Sequence, residues 1–113
     1  MEARLLADLA VRTAQEKKAR DIIVLDLRPS TLVCDYFVIC TVTTPLQGRA
    51  VADYLEEELP EQLRHREGYR EGRWILLDYG SVVIHVFREE ERRFYDLERL
   101  WAPPERERPA QME

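Results

Sequence analysis

Apolar residues recur at helical spacing in two segments of the chain. The first segment predicts a helix over residues 5–18, with an apolar side formed by Leu5, Leu6, Leu9, Ala10, Thr13 and Ala14. The second predicts a helix that ends before Pro60. Thr44 suits its N-cap, Pro45 its first position, and Gln47 completes a capping box. Its buried stripe is expected to consist of Leu46, Ala50, Val51, Tyr54, Leu55 and Leu59.

Short apolar runs predict four β-strands, over residues 21–27, 35–41, 73–79 and 81–88. The last two runs meet at Gly80 and Ser81, which are typical turn residues, and therefore predict a β-hairpin. The polar segment 63–73 predicts a loop with room for a short edge strand. The hairpin is thus expected to follow the second helix after this loop.

The segment after the hairpin predicts a third helix over residues 89–101. Its first residues are acidic, and the dipole of a helix favours acidic side chains at that end. Phe94 and Leu97 are expected in the core, whereas Arg92 and Glu98 are expected on a solvated face.

The order of these elements predicts one small α/β domain over residues 1–102, with a mixed sheet and about three helices. Residues 103–113 are expected to form a disordered tail. Because the predicted strands are apolar on both faces, both faces of the sheet need cover. Three short helices are too few to cover both completely, so the uncovered part is a candidate surface for another protein.

Composition narrows the class of protein. Apolar residues make up 45% and charged residues 35% of the chain, which is ordinary for a soluble globular protein. The chain has neither a signal-peptide pattern at its N-terminus nor a run of the ~20 apolar residues that spans a bilayer, so the expected location is the cytoplasm. A net charge of −5 disfavours nucleic-acid phosphates and suits a basic partner. Cys34 and Cys40 fit no zinc spacing and are interpreted as small apolar residues of a reducing compartment.

Three aspartates near strand ends, Asp26, Asp35 and Asp78, raise the alternative of a metal-dependent enzyme. They come from different strands and no Gly-rich phosphate loop accompanies them, so strand-end caps are the favoured interpretation. His85 lies in the middle of a strand, where it is a candidate general base, a partner contact or a hydrogen-bonded core residue. No nucleophile motif accompanies it, so contact is favoured over catalysis. We therefore expect no catalytic residue, metal or cofactor.

The first hairpin strand divides its side chains between two faces of the sheet. One face receives Trp74, Leu76 and Asp78, and the other receives Ile75, Leu77 and Tyr79. One set is expected to pack on helices. The other is either ordinary core or a binding hot spot, because Trp, Tyr and Arg dominate such spots.

The hairpin and the segment after it carry a family resemblance. The strings WILLDYGSVVIHVF at residues 74–87 and EERRFYDLERLW at residues 90–101 closely resemble the ribosomal silencing factor family, whose plant member is called Iojap. Upstream, DIIVLD at residues 21–26 and DYFVIC at residues 35–40 resemble its two early strands, and Ala52-Asp53 resembles part of its second helix. The resemblance covers residues 5–101.

The resemblance implies a translational repressor that is not an enzyme. It implies binding to protein fourteen of the large ribosomal subunit, steric obstruction of small-subunit joining when nutrients are scarce, and a homodimer in the free state. It also implies a nucleotidyltransferase-like topology without the active site. Carried over by position, the expected partner-contacting residues are Trp74, Leu76, Asp78, Tyr79, His85, Arg92 and Tyr95.

Residues 42–48 depart from the family pattern. The family has Gly, then Ser or Asn, then Arg before the second helix, whereas Val42 stands at the Gly position and Leu46 at the Arg position. This difference puts any contact made by that loop in doubt. The alternative function is a nucleotidyltransferase-like or hydrolytic enzyme that uses Asp26, Asp35 and His85 and binds Mg²⁺ or nucleotide.

Overall fold

Five strands and four helices form residues 1–101, the part of the chain that this computed structural model describes. The elements are α1 (Ala3–Glu16), β1 (Arg20–Asp26), β2 (Tyr36–Val42), α2 (Pro45–Glu58), β3 (His65–Glu67), β4 (Trp74–Asp78), β5 (Val82–Arg88), α3 (Glu89–Tyr95) and α4 (Leu97–Trp101). The expected small mixed α/β fold is confirmed, including the short edge strand. The expected tail at residues 103–113 lies outside the described residues.

The strands form one mixed sheet in the order β1-β2-β5-β4-β3. β2 and β5 pair in parallel at its centre, because the connection through α2 returns the chain to the same end of the sheet. The other neighbouring pairs are antiparallel. β4 and β5 form the expected hairpin, in which Tyr79 N donates to Val82 O at 2.9 Å. Gly80 lies in this turn at φ +90°, a conformation that favours glycine.

α1 and α2 pack on one face of the sheet, which we call the helix-covered face. Successive side chains of a strand point to opposite faces, so each strand gives alternate residues to this core. Its fully buried strand residues are Val38, Cys40, Val42, Ile75, Leu77, Val82, Ile84 and Val86. Of the two sets on β4, the set that contains Ile75 and Leu77 therefore packs on helices.

The N-terminus of α2 is capped largely as its sequence predicts. Thr44 Oγ1 accepts a hydrogen bond from Gln47 N at 3.0 Å. The Gln47 side chain reaches back to Thr43 N at 2.8 Å, one residue before the position that a capping box requires. Its amide nitrogen also donates to the carbonyl oxygens of Lys17 and Lys18, so this side chain joins the start of α2 to the end of α1.

The buried side of α2 differs from the predicted stripe. Leu46 is 72% exposed and Ala50 is exposed, whereas Gly48 is buried. A Cβ on Gly48 would lie 3.0 Å from the carbonyl oxygen of Gly72, so the absence of a side chain allows this close approach. The side of the helix that faces the sheet therefore carries a glycine where periodicity alone favours a leucine. In α1, Leu5 is also expected on the apolar side of the helix, but its side chain is exposed.

The predicted third helix is two short helices. Asp96 separates α3 from α4 in the left-handed conformation, at φ 49°. Because this break turns the chain, Phe94 is 80% exposed, while Leu97 packs partly buried on the sheet. The expectation that Phe94 lies in the core is therefore wrong. None of the helices within residues 1–101 combines the length and the apolar composition that a membrane span requires.

Candidate functional site

The second face of the sheet, which we call the open face, is formed by three rows of side chains that the strand register places side by side. The first row is Asp78, Val83, Phe37 and Leu25. The second is Leu76, His85, Ile39 and Ile23. The third is Trp74, Phe87 and Thr41. Within the described chain, only the short helices α3 and α4 pack on this face, and Trp74, Leu76, Val83 and Phe37 remain half-buried.

Aromatic rings connect these rows to the last two helices. The Trp74 indole stacks on Phe87 with a centroid distance of 4.8 Å, and its centroid lies 4.7 Å from that of Tyr95 in α3. Phe37 makes an edge contact with Trp101 of α4 at 5.8 Å and another with His85 at 4.4 Å. Such contacts favour offset or perpendicular rings, as observed here. The aromatic residues therefore form one connected cluster on the open face.

His85 is the polar centre of this cluster. It is only 3% exposed, and its Nδ1 accepts a hydrogen bond from Trp74 Nε1 at 3.1 Å. Because an indole nitrogen only donates, Nδ1 carries no proton, and the neutral ring carries its proton on Nε2. That Nε2 atom is buried without a hydrogen-bond partner among the described residues. Burial disfavours the charged ring and lowers the pKa of His85 to about 4.

Arg92 fastens the break between α3 and α4 to the sheet. Its Nη1 donates to Asp21 O at 2.6 Å and to Thr41 Oγ1 at 2.7 Å. Its Nε and Nη2 donate to Glu98 at 3.0 and 2.9 Å. The Arg92 side chain is 12% exposed, so the expected solvated face for Arg92 and Glu98 is wrong. The reason is that the helix break carries Glu98 back beside Arg92, which a continuous helix would not do.

The alternation of side chains at the end of β4 puts two of the expected contact residues on opposite faces of the sheet. Asp78 lies on the open face, and its Oδ1 accepts a hydrogen bond from Gly80 N at 2.7 Å. Tyr79 points into the helix-covered core, where it is buried and burial raises the pKa of its hydroxyl to about 12, with a smaller contribution from Glu56. The structure therefore brings together Trp74, Leu76, Asp78, His85 and Tyr95, places Arg92 beside Thr41 towards the β1 edge of the same face, and puts Tyr79 on the opposite face.

Two exposed apolar residues that sequence reasoning missed lie at one end of the open face. Leu32 and Val33, in the loop between β1 and β2, are 101% and 87% exposed. They line a depression together with Asp78 and Val83 of the first row. An apolar pair inside an otherwise polar loop was the available signal, because such a pair has no place in a helical or strand pattern.

Three of the candidate catalytic groups, Asp26, Asp78 and His85, have structural contacts. Asp26 accepts two side-chain hydrogen bonds from Arg28, at 2.9 and 2.7 Å, which hold the pKa of its carboxyl below the usual range. Cys34 and Cys40 are buried and free, and burial raises the pKa of the Cys40 thiol to about 12. Within residues 1–101 there is no group of three histidine, cysteine or acidic side chains that could hold a metal ion. What the open face offers a partner is therefore apolar and aromatic contact area.

Comparisons with known proteins identify the relatives of the chain. Residues 1–113 match the family model described as ribosomal silencing factor during starvation. The chain is 38% identical to the Bacillus subtilis ribosomal silencing factor RsfS over 104 residues, covering 89% of the chain and 88% of that protein. It is 34% identical to mouse mitochondrial assembly of ribosomal large subunit protein 1, covering 88% of the chain and 46% of that protein.

A solved structure agrees with these matches. The crystal structure of a Chromobacterium violaceum protein superposes with a TM-score of 0.85 and 32% sequence identity, covering 89% of this chain and 87% of that chain. The family match and this shared fold together cover the sheet, the helices and the open face. The chain therefore belongs to the ribosomal silencing factor family.

Proposed function

We propose that the protein binds the large ribosomal subunit through its open face and thereby prevents the small subunit from joining. Membership of the ribosomal silencing factor family supports a role at the ribosome. The mouse relative is named for assembly of the large ribosomal subunit, which favours that subunit as the partner. The observation that carries the proposal is the group of half-buried aromatic and apolar side chains on the open face, which the described helices cover only in part. These side chains are Trp74, Leu76, Val83 and Phe37.

The expected contact residues divide into two groups by their exposure. Trp74, Leu76, Asp78 and Tyr95 lie at the surface of the open face and are proposed to touch the partner. His85, Arg92 and Tyr79 are largely buried and are proposed to hold the surface in shape. Trp and Tyr at the centre of an interface commonly provide most of its binding energy.

The proposed partner is protein fourteen of the large subunit, which the family resemblance implies. A net charge of −5 favours approach to a basic ribosomal surface, and Asp78 offers a carboxylate at the rim of the open face. A pair at the rim adds little affinity, so the apolar rows are expected to dominate binding. Isolated protein fourteen should therefore bind the wild-type chain, as measured by calorimetry.

The proposed mechanism is steric. The described chain measures 37 × 31 × 22 Å, so docking through one face adds a body about 22 Å thick at its thinnest to the ribosomal surface. A specific interface needs only about 800 Å² per partner and no chemistry. A subunit-joining assay should show that excess protein lowers the fraction of joined ribosomes. The proposed place of this activity is the cytoplasm.

Sedimentation with purified large subunits tests the docking surface. Leu76→Glu places a charge in the middle row of the open face, and we expect at least about tenfold weaker binding. Leu5→Glu makes the same chemical change on the exposed side of α1 and serves as the matched control. Wild-type binding by the Leu76→Glu variant, with its fold intact by circular dichroism, would place the docking surface elsewhere.

The enzyme alternative and the oligomeric state have separate tests. Calorimetry with Mg-ATP should give no saturable heat, because the proposal needs neither metal nor nucleotide. Saturable binding would instead favour the nucleotidyltransferase-like alternative. The homodimer implied by the family is part of the proposal, and light scattering at several protein concentrations measures it.

A further inference from the structure

We propose that His85 is a positioning residue, which fixes the indole of Trp74 in the orientation that the open face presents to its partner. This inference rests on the proposed function. His85 is buried in the middle row of the open face, so its side chain has almost no surface to offer a partner directly. Any effect of this residue on binding must therefore pass through a neighbour.

The neighbour is Trp74, which the strand register places diagonally across from His85. Trp74 pairs with Phe87, and Leu76 pairs with His85, so the indole and the imidazole lie on the same face of the β4–β5 hairpin. The Trp74 Nε1 donates to His85 Nδ1 at 3.1 Å. Diagonal neighbours in an antiparallel pair are within reach of aromatic side chains.

The other contacts of Trp74 determine its orientation less strictly. Phe87 stacks on the indole, and Tyr95 contacts it at a tilt of 44°. Aromatic contacts of this kind tolerate several ring arrangements, whereas a hydrogen bond weakens steeply when its angle departs from linear. The bond to Nδ1 is therefore the contact that selects which edge of the indole faces inward and which edge faces the partner.

Stability alone does not account for a histidine at this position. Its Nε2 donor is buried and has no hydrogen-bond partner within residues 1–101, which is unfavourable for folding. A leucine there would exchange that penalty for a smaller one at the half-buried Trp74 Nε1, which would lose its acceptor, and could still fill space between Phe37 and Phe87. What a leucine cannot provide is the acceptor for the Trp74 indole, so the positioning of that ring explains the histidine.

The test compares two substitutions at His85. His85→Leu removes the acceptor, whereas His85→Asn keeps an oxygen near the position of Nδ1. Ile84→Ala is the control for stability, because this fully buried neighbour on the same strand points to the helix-covered face. Two quantities are measured: the ¹⁵N–¹H resonance of the Trp74 indole, assigned against that of Trp101, and the affinity for purified large subunits.

We expect His85→Leu to shift the Trp74 indole resonance upfield, to speed its exchange with solvent, and to weaken binding by about tenfold or more. His85→Asn should restore most of the wild-type resonance and affinity, and Ile84→Ala should leave both unchanged once the folded fraction is counted. An unchanged resonance or unchanged affinity in His85→Leu would overturn the proposal, as would an equal loss of affinity in Ile84→Ala. If the wild-type protein fails to sediment with large subunits, the proposed function fails, while the indole resonance still decides whether His85 fixes Trp74.

Discussion

Replacing Arg92 with methionine should destabilise the protein far more than the same change at its neighbour Arg93. Arg92→Met keeps an unbranched side chain of similar length but removes every donor. It thereby breaks the bonds to Asp21 O and Thr41 Oγ1 and the two-point contact with Glu98. Arg93 is 72% exposed, and within residues 1–101 its ion pair is the one with Glu89, one helical turn away, so Arg93→Met is a closely matched control.

The magnitude follows from burial. Removing one partner of a buried ion pair costs about 3–5 kcal/mol, because the remaining charge stays buried without compensation. Glu98 is 31% exposed and recovers part of its hydration, which brings the expected loss to the lower end, about 3 kcal/mol. The exposed pair of Arg93 and Glu89 contributes only about 0.3–0.5 kcal/mol.

Urea unfolding followed by circular dichroism measures both variants under the same conditions. The Arg92→Met midpoint should fall well below that of wild type with an unchanged slope, whereas Arg93→Met should nearly coincide with wild type. A double-mutant cycle with Glu98→Gln isolates the ion pair from the bonds to the sheet. Losses that differ by less than about 1 kcal/mol between the two variants would refute the assignment of Arg92 as the link between α3, α4 and the sheet.

Two further predictions concern His85 and the glycines. Burial lowers the pKa of His85 to about 4, whereas the ordinary pKa of histidine is about 6.5. Between these two pH values the unfolded chain binds a proton on His85 and the folded chain does not. The stability that depends on His85 should be complete above pH 6.5 and fall by as much as about 3 kcal/mol towards pH 4, and unfolding curves of His85→Leu should lack this part. Gly72→Ala should destabilise the protein by more than about 1 kcal/mol, because Gly72 has φ +73° and its Cβ would lie 2.7 Å from Pro45 Cβ. Gly80→Ala is the matched comparison: it also has a positive φ, but its Cβ meets the movable guanidinium of Arg64, so thermal unfolding should show the smaller loss.

Local patterns were enough to predict most of the elements. The apolar runs of β2, β4 and β5 and the turn at Gly80 are signals that a few neighbouring residues contain completely. The cap at Thr44 is equally local, because its partner Gln47 lies three residues away. Two of the strings that carry the family resemblance lie on β2 and on the β4–β5 hairpin, and the others lie on β1 and on α3 and α4.

The candidate site was predicted only in part. Alternation along β4 separated Trp74, Leu76 and Asp78 from Tyr79, but both sets contain aromatic and apolar residues. Nothing in the alternation says which set α1 and α2 will cover. The buried role of Arg92 depends on Glu98 and Asp21, which come from a different helix and a distant strand. Contacts of that range leave no periodic mark on the sequence.

The amino-acid sequence by itself determined the order of strands and helices, the hairpin and the family, because these depend on residue types at short spacing. The tertiary structure alone decided which face of the sheet remains open, that Gly48 and not Leu46 faces the core, and that His85 is bonded to Trp74. The physical reason is that these outcomes depend on how separate elements pack in space. A helix with two apolar sides, or a strand with two apolar faces, has no unique buried side until its neighbours are in place.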